Sequence, residues 1–300
     1  MSFTDSCTLC PRACAIDRST QPGYCGMTST VRIGRADLHL WEEPPISGTR
    51  GSGAIFFSGC SLRCVFCQNR VISHGGGGRA LTAKELAERM LDLQSRGAHN
   101  LNLVTGTQFL PAILSALRAI RSELHIPVVW NTGGYETPET IDALSEFVSV
   151  WLPDFKYSSP ALASRLSGAA DYPTVAAAAI KRMYEHAGTF ETDENGIAQR
   201  GVIVRHLILP GQRKDSCAVL DLLAEALPIA DIRLSLMWQY TPEFLPEPRE
   251  DGDPYAPLRR RVTTFEYDSV RRHAVSLGFT GYEQDRSAAT KDYTPLFDLR

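Results

Sequence analysis

"GCSLRCVFCQN", Gly59–Asn69, closes the apolar run "GAIFFSG" (Gly53–Gly59) and sets Cys60, Cys64 and Cys67 within eight residues. An apolar run closed by glycine reads as a strand, and the cysteines then sit on the loop leaving its carboxyl end. The chain beyond it tells what kind of strand this is. "LTAKELAERMLDLQSRG" has Thr82 and Glu85 at capping-box spacing, Leu86, Met90 and Leu93 on one face, and Gly97 placed to end a helix. "LNLVTG" (Leu101–Gly106), "PVVWNTGG" (Pro127–Gly134), "VSVWLPDFKY" (Val148–Tyr157), "GVIVRHLILPG" (Gly201–Gly211) and "IRLSLMWQY" (Ile232–Tyr240) predict five further strands. Helical segments alternate with them: Leu110 to about Ser122, one opening at Thr137–Pro138, Thr174–Ala187, Asp215–Leu227, and a last one opening at Thr263. Six apolar strands alternating with helices predict an α/β fold around a parallel sheet covered on both faces. Periodicity leaves open whether that sheet closes into a barrel.

Three pieces stand outside the alternation. Residues 1–52 hold a cysteine group and the strand-like "VRIGRADLHLW", and are expected to form a metal-binding extension to a core over 53–281. "EFLPEPREDGDPYAPLRRR" (Glu243–Arg261) is a charged, proline-rich loop of the kind that serves as a lid or docking surface. Residues 282–300 are expected to form a loosely packed tail. "GGGG" at Gly75–Gly78 is the one low-complexity stretch.

Composition narrows the function. At 300 residues with 43% hydrophobic content the chain has ample core, and no apolar run is long enough to cross a bilayer. A net charge of −3 with interspersed signs gives no reason to expect a nucleic-acid partner. The opening "MSFTDSCTLC" lacks a secretory pattern, so a cytoplasmic setting with reduced thiols is expected. Eight cysteines in that setting read as metal ligands or catalytic groups before disulfides. Cys217 stands alone on an apolar helical face and is expected to be buried and inert.

Cys60, Cys64 and Cys67 have the spacing C-x3-C-x2-C. Structural zinc wants a closed shell of four ligands, which three thiolates do not complete. An iron–sulfur cubane is larger than one ion and accepts ligands from a short wrapping loop. Three thiolates on a four-iron cluster leave one iron open to an exogenous ligand. A site that borrows a fourth ligand from the N-terminal cysteines, or three incidental cysteines, are the competing readings.

With Phe66 before Cys67, the loop resembles the signature of radical S-adenosylmethionine enzymes. The resemblance spans roughly Gly53–Tyr240 and implies a partial (β/α)6 barrel of the TIM-like, radical SAM type. It implies a [4Fe-4S] cluster on Cys60, Cys64 and Cys67 whose open iron is chelated by S-adenosylmethionine. It further implies reductive cleavage of the sulfonium to a 5′-deoxyadenosyl radical. An electron donor such as flavodoxin or ferredoxin, and a protein or small-molecule substrate, are the partners expected with it.

Such a cofactor would meet polar groups at the strand ends. Candidates are Thr105, Gly106 and Thr107 after the second strand, where hydroxyls and carbonyls replace the acidic contact common in the family, and Asn131 after the third. The Asp154-x-Lys156 pair and Arg205 resemble cofactor-contacting groups of activating enzymes for glycyl radical proteins, and Gln239 ends the sixth strand. "WEEPPISG" (Trp41–Gly48) and "QYTPEF" (Gln239–Phe244) also look like that pyruvate formate-lyase activating-enzyme-like subgroup. Glu42 and Glu43 read as a solvated acidic pair beside a proline turn.

The first cysteine group, Cys7, Cys10, Cys14 and Cys25, has the spacing C-x2-C-x3-C-x10-C. Four thiolates so spaced suit structural zinc or a second cluster, and the sequence does not choose between them. Two further functions compete with radical chemistry. A two-cluster electron-transfer protein would need both clusters fully ligated; a zinc-stabilised docking module would leave the polar strand ends without a purpose.

Overall fold

The strand before the cysteine loop, β2 (Ser52–Phe57), is buried along its whole length, as a strand covered on both faces must be. The computed structural model describes every residue except 1–5, 76, 249, 251, 285, 286, 288, 291–293, 299 and 300. The expected low-complexity glycines, charged loop and tail fall partly on those positions, and to that extent lie outside the described residues.

In chain order the elements are β1 (Val31–His39), α1 (Pro44–Ser47), β2, α2 (Arg70–Ser73), β3 (Arg79–Leu81), α3 (Ala83–Ser95), β4 (Leu101–Val104), α4 (Leu110–Ala119), β5 (Val128–Thr132), α5 (Pro138–Leu144) and β6 (Val150–Pro153). There follow α6 (Pro160–Ser167), α7 (Tyr172–Ala187), β7 (Glu191–Thr192), β8 (Ala198–Leu207), α8 (Arg213–Ala226), β9 (Arg233–Met237), α9 (Thr264–Leu277) and β10 (Gly281–Glu283). The sheet order is β10-β9-β8-β6-β5-β4-β2-β1-β3, with β7 pairing off that path onto β8. From β2 to β10 every pairing along the path is parallel. Among the described residues the two ends of this path are not paired to each other, so the sheet is an open, partial barrel, as expected for the radical SAM type.

Helix ends follow local chemistry. Thr82 and Thr263 each accept from the backbone N–H three residues on, and Glu85 and Glu266 reach back, completing capping boxes on α3 and α9. Leu86, Met90 and Leu93 are buried, as their spacing predicts. The barrel interior and helix seams form one apolar core containing Trp130, Trp151, Phe109, Tyr157 and Tyr172.

The sheet crosses both expected domain boundaries. β1 belongs to the N-terminal segment yet pairs antiparallel with β2 and with β3, and Gly281–Glu283 adds a further parallel strand onto β9. Short stretches flanked by turn residues pair wherever a sheet edge is open, and periodicity does not report edges. The described part of the tail is docked rather than loose: the Asp298 amide donates to Gly34 O at 2.8 Å, and Phe297 packs edge-on against Phe56. Cys217 is half-buried, on a helix shoulder rather than in the core. Among the described residues no helix is long and apolar enough to cross a membrane.

Candidate active site

The cysteine loop leaves β2 through a position that only glycine can fill. Gly59 has φ +81°, and a Cβ there would lie 2.4 Å from Met27 Cγ and 2.7 Å from the Cys25 carbonyl oxygen. Arg63 also takes a positive φ of 49°, so the loop curls back and its three cysteines line one cleft. Each sulfur has a donor. The Leu62 amide reaches Cys60 Sγ at 3.4 Å, the Ser167 hydroxyl reaches Cys64 Sγ at 3.0 Å, and the Ser73 hydroxyl reaches Cys67 Sγ at 3.4 Å. Donors of this kind hold ligand sulfurs in orientation. Burial, then the neighbouring thiols, push Cys60 up to about 12 and raise Cys67 as well. Burial thus favours the protonated thiols, and a bound cation would favour the thiolates.

The donor set fits an iron–sulfur cluster: three soft sulfurs in one loop, walled by Phe66 against Tyr157 and Tyr240, with open cleft beside them. Among the described residues no three His, Cys, Asp or Glu side chains stand arranged to hold a single metal ion.

Polar groups from four strand ends meet opposite the sulfurs. Arg205 on β8 donates from Nε to Asp154 Oδ1 at 2.9 Å, from Nη1 to Glu42 Oε2 at 3.2 Å, and from Nη2 to Asn131 Oδ1. Lys156 pairs with Asp154, one step along the chain from β6. Glu42 Oε1 accepts from Asn131 at 3.1 Å and Asn102 at 3.3 Å. Burial alone would raise Asp154, yet the cations Arg205 and Lys156 hold its carboxyl below the usual range. Burial pushes Glu42 up against the pull of Arg205.

Of the expected cofactor residues, Thr105, Asn131, Asp154, Lys156, Arg205 and Gln239 line this cleft. Thr105 does so in the left-handed region, at φ +57°, a strained conformation for a branched side chain. Gly106 and Thr107 do not line it. Gly106 backs onto Ile113 and Trp130, and the Thr107 hydroxyl turns inward to donate to Glu136 Oε1 at 2.6 Å. Burial pushes Glu136 up to about 7, partly offset by Thr107, Thr132 and Trp130. An interior carboxylate demands donors, and the nearest hydroxyl answers it instead of the cleft.

Glu42 and Glu43 are not solvated. Glu43 is buried, and Glu42 is half-buried and lines the cleft, with Arg205 drawing on both. The sequence signal that points to Glu42 is its place on the short link between β1 and the Pro44–Pro45 turn. Ser73 and Ser167 carry no such signal, since nothing local marks a serine as a sulfur donor.

The first cysteine group folds into an arm over the same loop. Cys7 and Cys25 are buried and Cys10 and Cys14 half-buried. A Cβ at Gly23 would lie 3.6 Å from both Cys14 Sγ and Cys25 Sγ, so these two sulfurs face a common space. Burial pushes Cys10 up to about 12, the Arg12 amide opposing it and Glu136, Cys25 and Cys7 adding to it.

Comparison with known proteins bears on this geometry directly. Residues 54–192 match the radical SAM superfamily. An uncharacterized protein of Methanocaldococcus jannaschii is 30% identical over 275 residues, covering 88% of this chain and 73% of that protein. A radical SAM methyltransferase from Sphaerobacter thermophilus shares the fold at TM-score 0.52 and 16% identity, over 78% of this chain and 66% of its own. The chain thus spans just under two thirds of that structure's length. The chain belongs to the radical SAM superfamily. Membership implies an iron–sulfur cluster and S-adenosylmethionine.

Proposed function

We propose that the cleft binds a [4Fe-4S] cluster on Cys60, Cys64 and Cys67 with S-adenosylmethionine beside it. When bound, the pair supplies reductive cleavage of the sulfonium and hydrogen abstraction from a substrate. The chain's own residues bind and orient. Asp154 and Asn131 offer acceptors to an ammonium or ribose hydroxyl, Arg205 and Lys156 offer donors to a carboxylate, and Gln239 and the Thr105 hydroxyl reach from the rim. Phe66, Tyr157 and Tyr240 exclude water from the sulfurs. The observation that carries this reading is that three sulfurs and the Arg205–Asp154–Lys156 cluster line one cleft at the carboxyl edge of a parallel sheet.

The Asp154-x-Lys156 pair, Arg205 and "WEEPPISG" favour the pyruvate formate-lyase activating-enzyme-like subgroup, acting on a backbone glycine of a protein or on a small molecule. A flavodoxin or ferredoxin donor and a cytoplasmic setting accompany that reading. Neither nucleic acid nor membrane is expected as a partner. Cys7, Cys10, Cys14 and Cys25 form a second metal site, zinc or iron–sulfur. The test is electron paramagnetic resonance of the anaerobically reduced protein. Adding S-adenosylmethionine changes the cluster signal; a signal indifferent to it marks a fully ligated, electron-transfer cluster and overturns the reading.

A further inference from the structure

The arm does not merely sit near the loop. It grips the loop at three points. The Cys60 amide donates to the Cys25 carbonyl at 3.3 Å, so one cysteine of each group shares a hydrogen bond through backbone. Arg12, between Cys10 and Cys14, donates from Nε to Ser61 O at 2.8 Å and from Nη2 to Ser167 O at 2.9 Å, and its Nη1 contacts Gly168 O. Ser167 is the residue whose hydroxyl reaches Cys64 Sγ at 3.0 Å. Arg18, buried, donates from Nη1 to Gln108 O at 2.6 Å, and Gln108 Nε2 in turn donates to Ser58 O at 2.8 Å and Gly59 O at 3.2 Å.

Each of these anchors lies between or beside arm cysteines. Ala13 and Ala15, on either side of Cys14, take positive φ of 38° and 52°, a strained path for residues with a Cβ, and Cys14 and Cys25 both face the Gly23 turn. Drawing Cys10, Cys14 and Cys25 onto one metal would fix Arg12 and the Cys25 carbonyl at the same stroke.

We infer that the arm is a metal-dependent clasp: filling the four-cysteine site, acting through Arg12 and the Cys25 carbonyl, seats the Cys60–Cys67 loop and its cluster. This rests on reading both cysteine groups as metal sites. The coupling is reciprocal, because two sites that share a positioning contact change each other's affinity by one factor. Arg12 is a positioning residue here: its amide faces Cys10, while its side chain spends its donors on Ser61, Ser167 and Gly168 carbonyls rather than on a ligand of either metal.

The experiment compares the full chain, prepared anaerobically, as wild type, Cys14→Ser, Arg12→Gln and a Cys60→Ala/Cys64→Ala/Cys67→Ala blank. Zinc and iron are counted, and the rate at which a chelator removes loop iron is followed optically. Iron present in the wild type and absent from the blank identifies the loop cluster. Cys14→Ser should lose the arm metal and release loop iron about tenfold faster. Arg12→Gln should keep its arm metal and show the same acceleration, which separates the clasp from a folding defect. Wild-type release rates in both variants would overturn the coupling while leaving the cluster assignment intact. A wild type with no arm metal overturns it as well. No loop iron in any sample would instead sink the proposed function.

Discussion

At the scale of single residues, the acidic groups divide by what burial does to them. Glu136 has an ordinary value of 4.5 and is pushed up to about 7 in the fold. The folded state therefore holds its proton longer than the unfolded chain does. Stability attached to this group is full below about 4.5, declines as pH rises to about 7, and is flat beyond. Glu136→Gln removes that decline, so the difference between variant and wild type grows by about 3 kcal/mol over this window. Urea titrations at a series of pH values check it; parallel curves contradict it. Arg205 is the opposite case, a cation held by Asp154, Glu42 and Asn131. Arg205→Lys removes the guanidinium fork and should weaken S-adenosylmethionine binding about tenfold or more with little loss of iron, read by equilibrium titration. Equal binding by both proteins would remove Arg205 from the cofactor site. The meeting of Cys60, Cys64 and Cys67 in one cleft was legible because spacing along the chain is itself the signal. Glu42 was not, because what buries it is an arginine 163 positions away.

Elements carry their own tests. The capping box at Thr82 satisfies the Glu85 amide and the Thr82 amide together. Thr82→Ala should therefore cost about 1 kcal/mol, visible as a lowered urea midpoint with unchanged slope. Gly134, at the turn after β5, has φ +77°, and a Cβ there would lie 2.3 Å from the Asp154 carbonyl oxygen. Gly134→Ala should push apart the ends of β5 and β6 and weaken cofactor binding more than it weakens stability. A variant that binds like the wild type would show that the β5–β6 junction does not position Asp154. The six parallel strands and the longer helices between them were readable because apolar runs and caps are local, whereas the short α2 and α6 were not. β10 and the pairing of β1 were not. An edge strand of three residues, or an antiparallel one ahead of the core, is recruited by an open sheet edge that only the folded neighbours create. Thr107 was misplaced for a similar reason, since an interior carboxylate claimed its hydroxyl.

Across the molecule, the proposed function has two cysteine groups, one sheet and one cleft serve a single reaction. The sheet's carboxyl edge brings residues from β5, β6 and β8 to within hydrogen-bond reach of each other, and the loop after β2 puts three sulfurs beside them. The arm closes over that loop from outside. The central claim is that this cleft holds a cluster with a coordination position left for S-adenosylmethionine. The most direct measurement is product formation by the anaerobically reconstituted, dithionite-reduced full chain given S-adenosylmethionine. The account predicts 5′-deoxyadenosine from the wild type and none from Cys64→Ala at equal protein. Absence of 5′-deoxyadenosine from iron-loaded wild type, or its undiminished formation by Cys64→Ala, would contradict it.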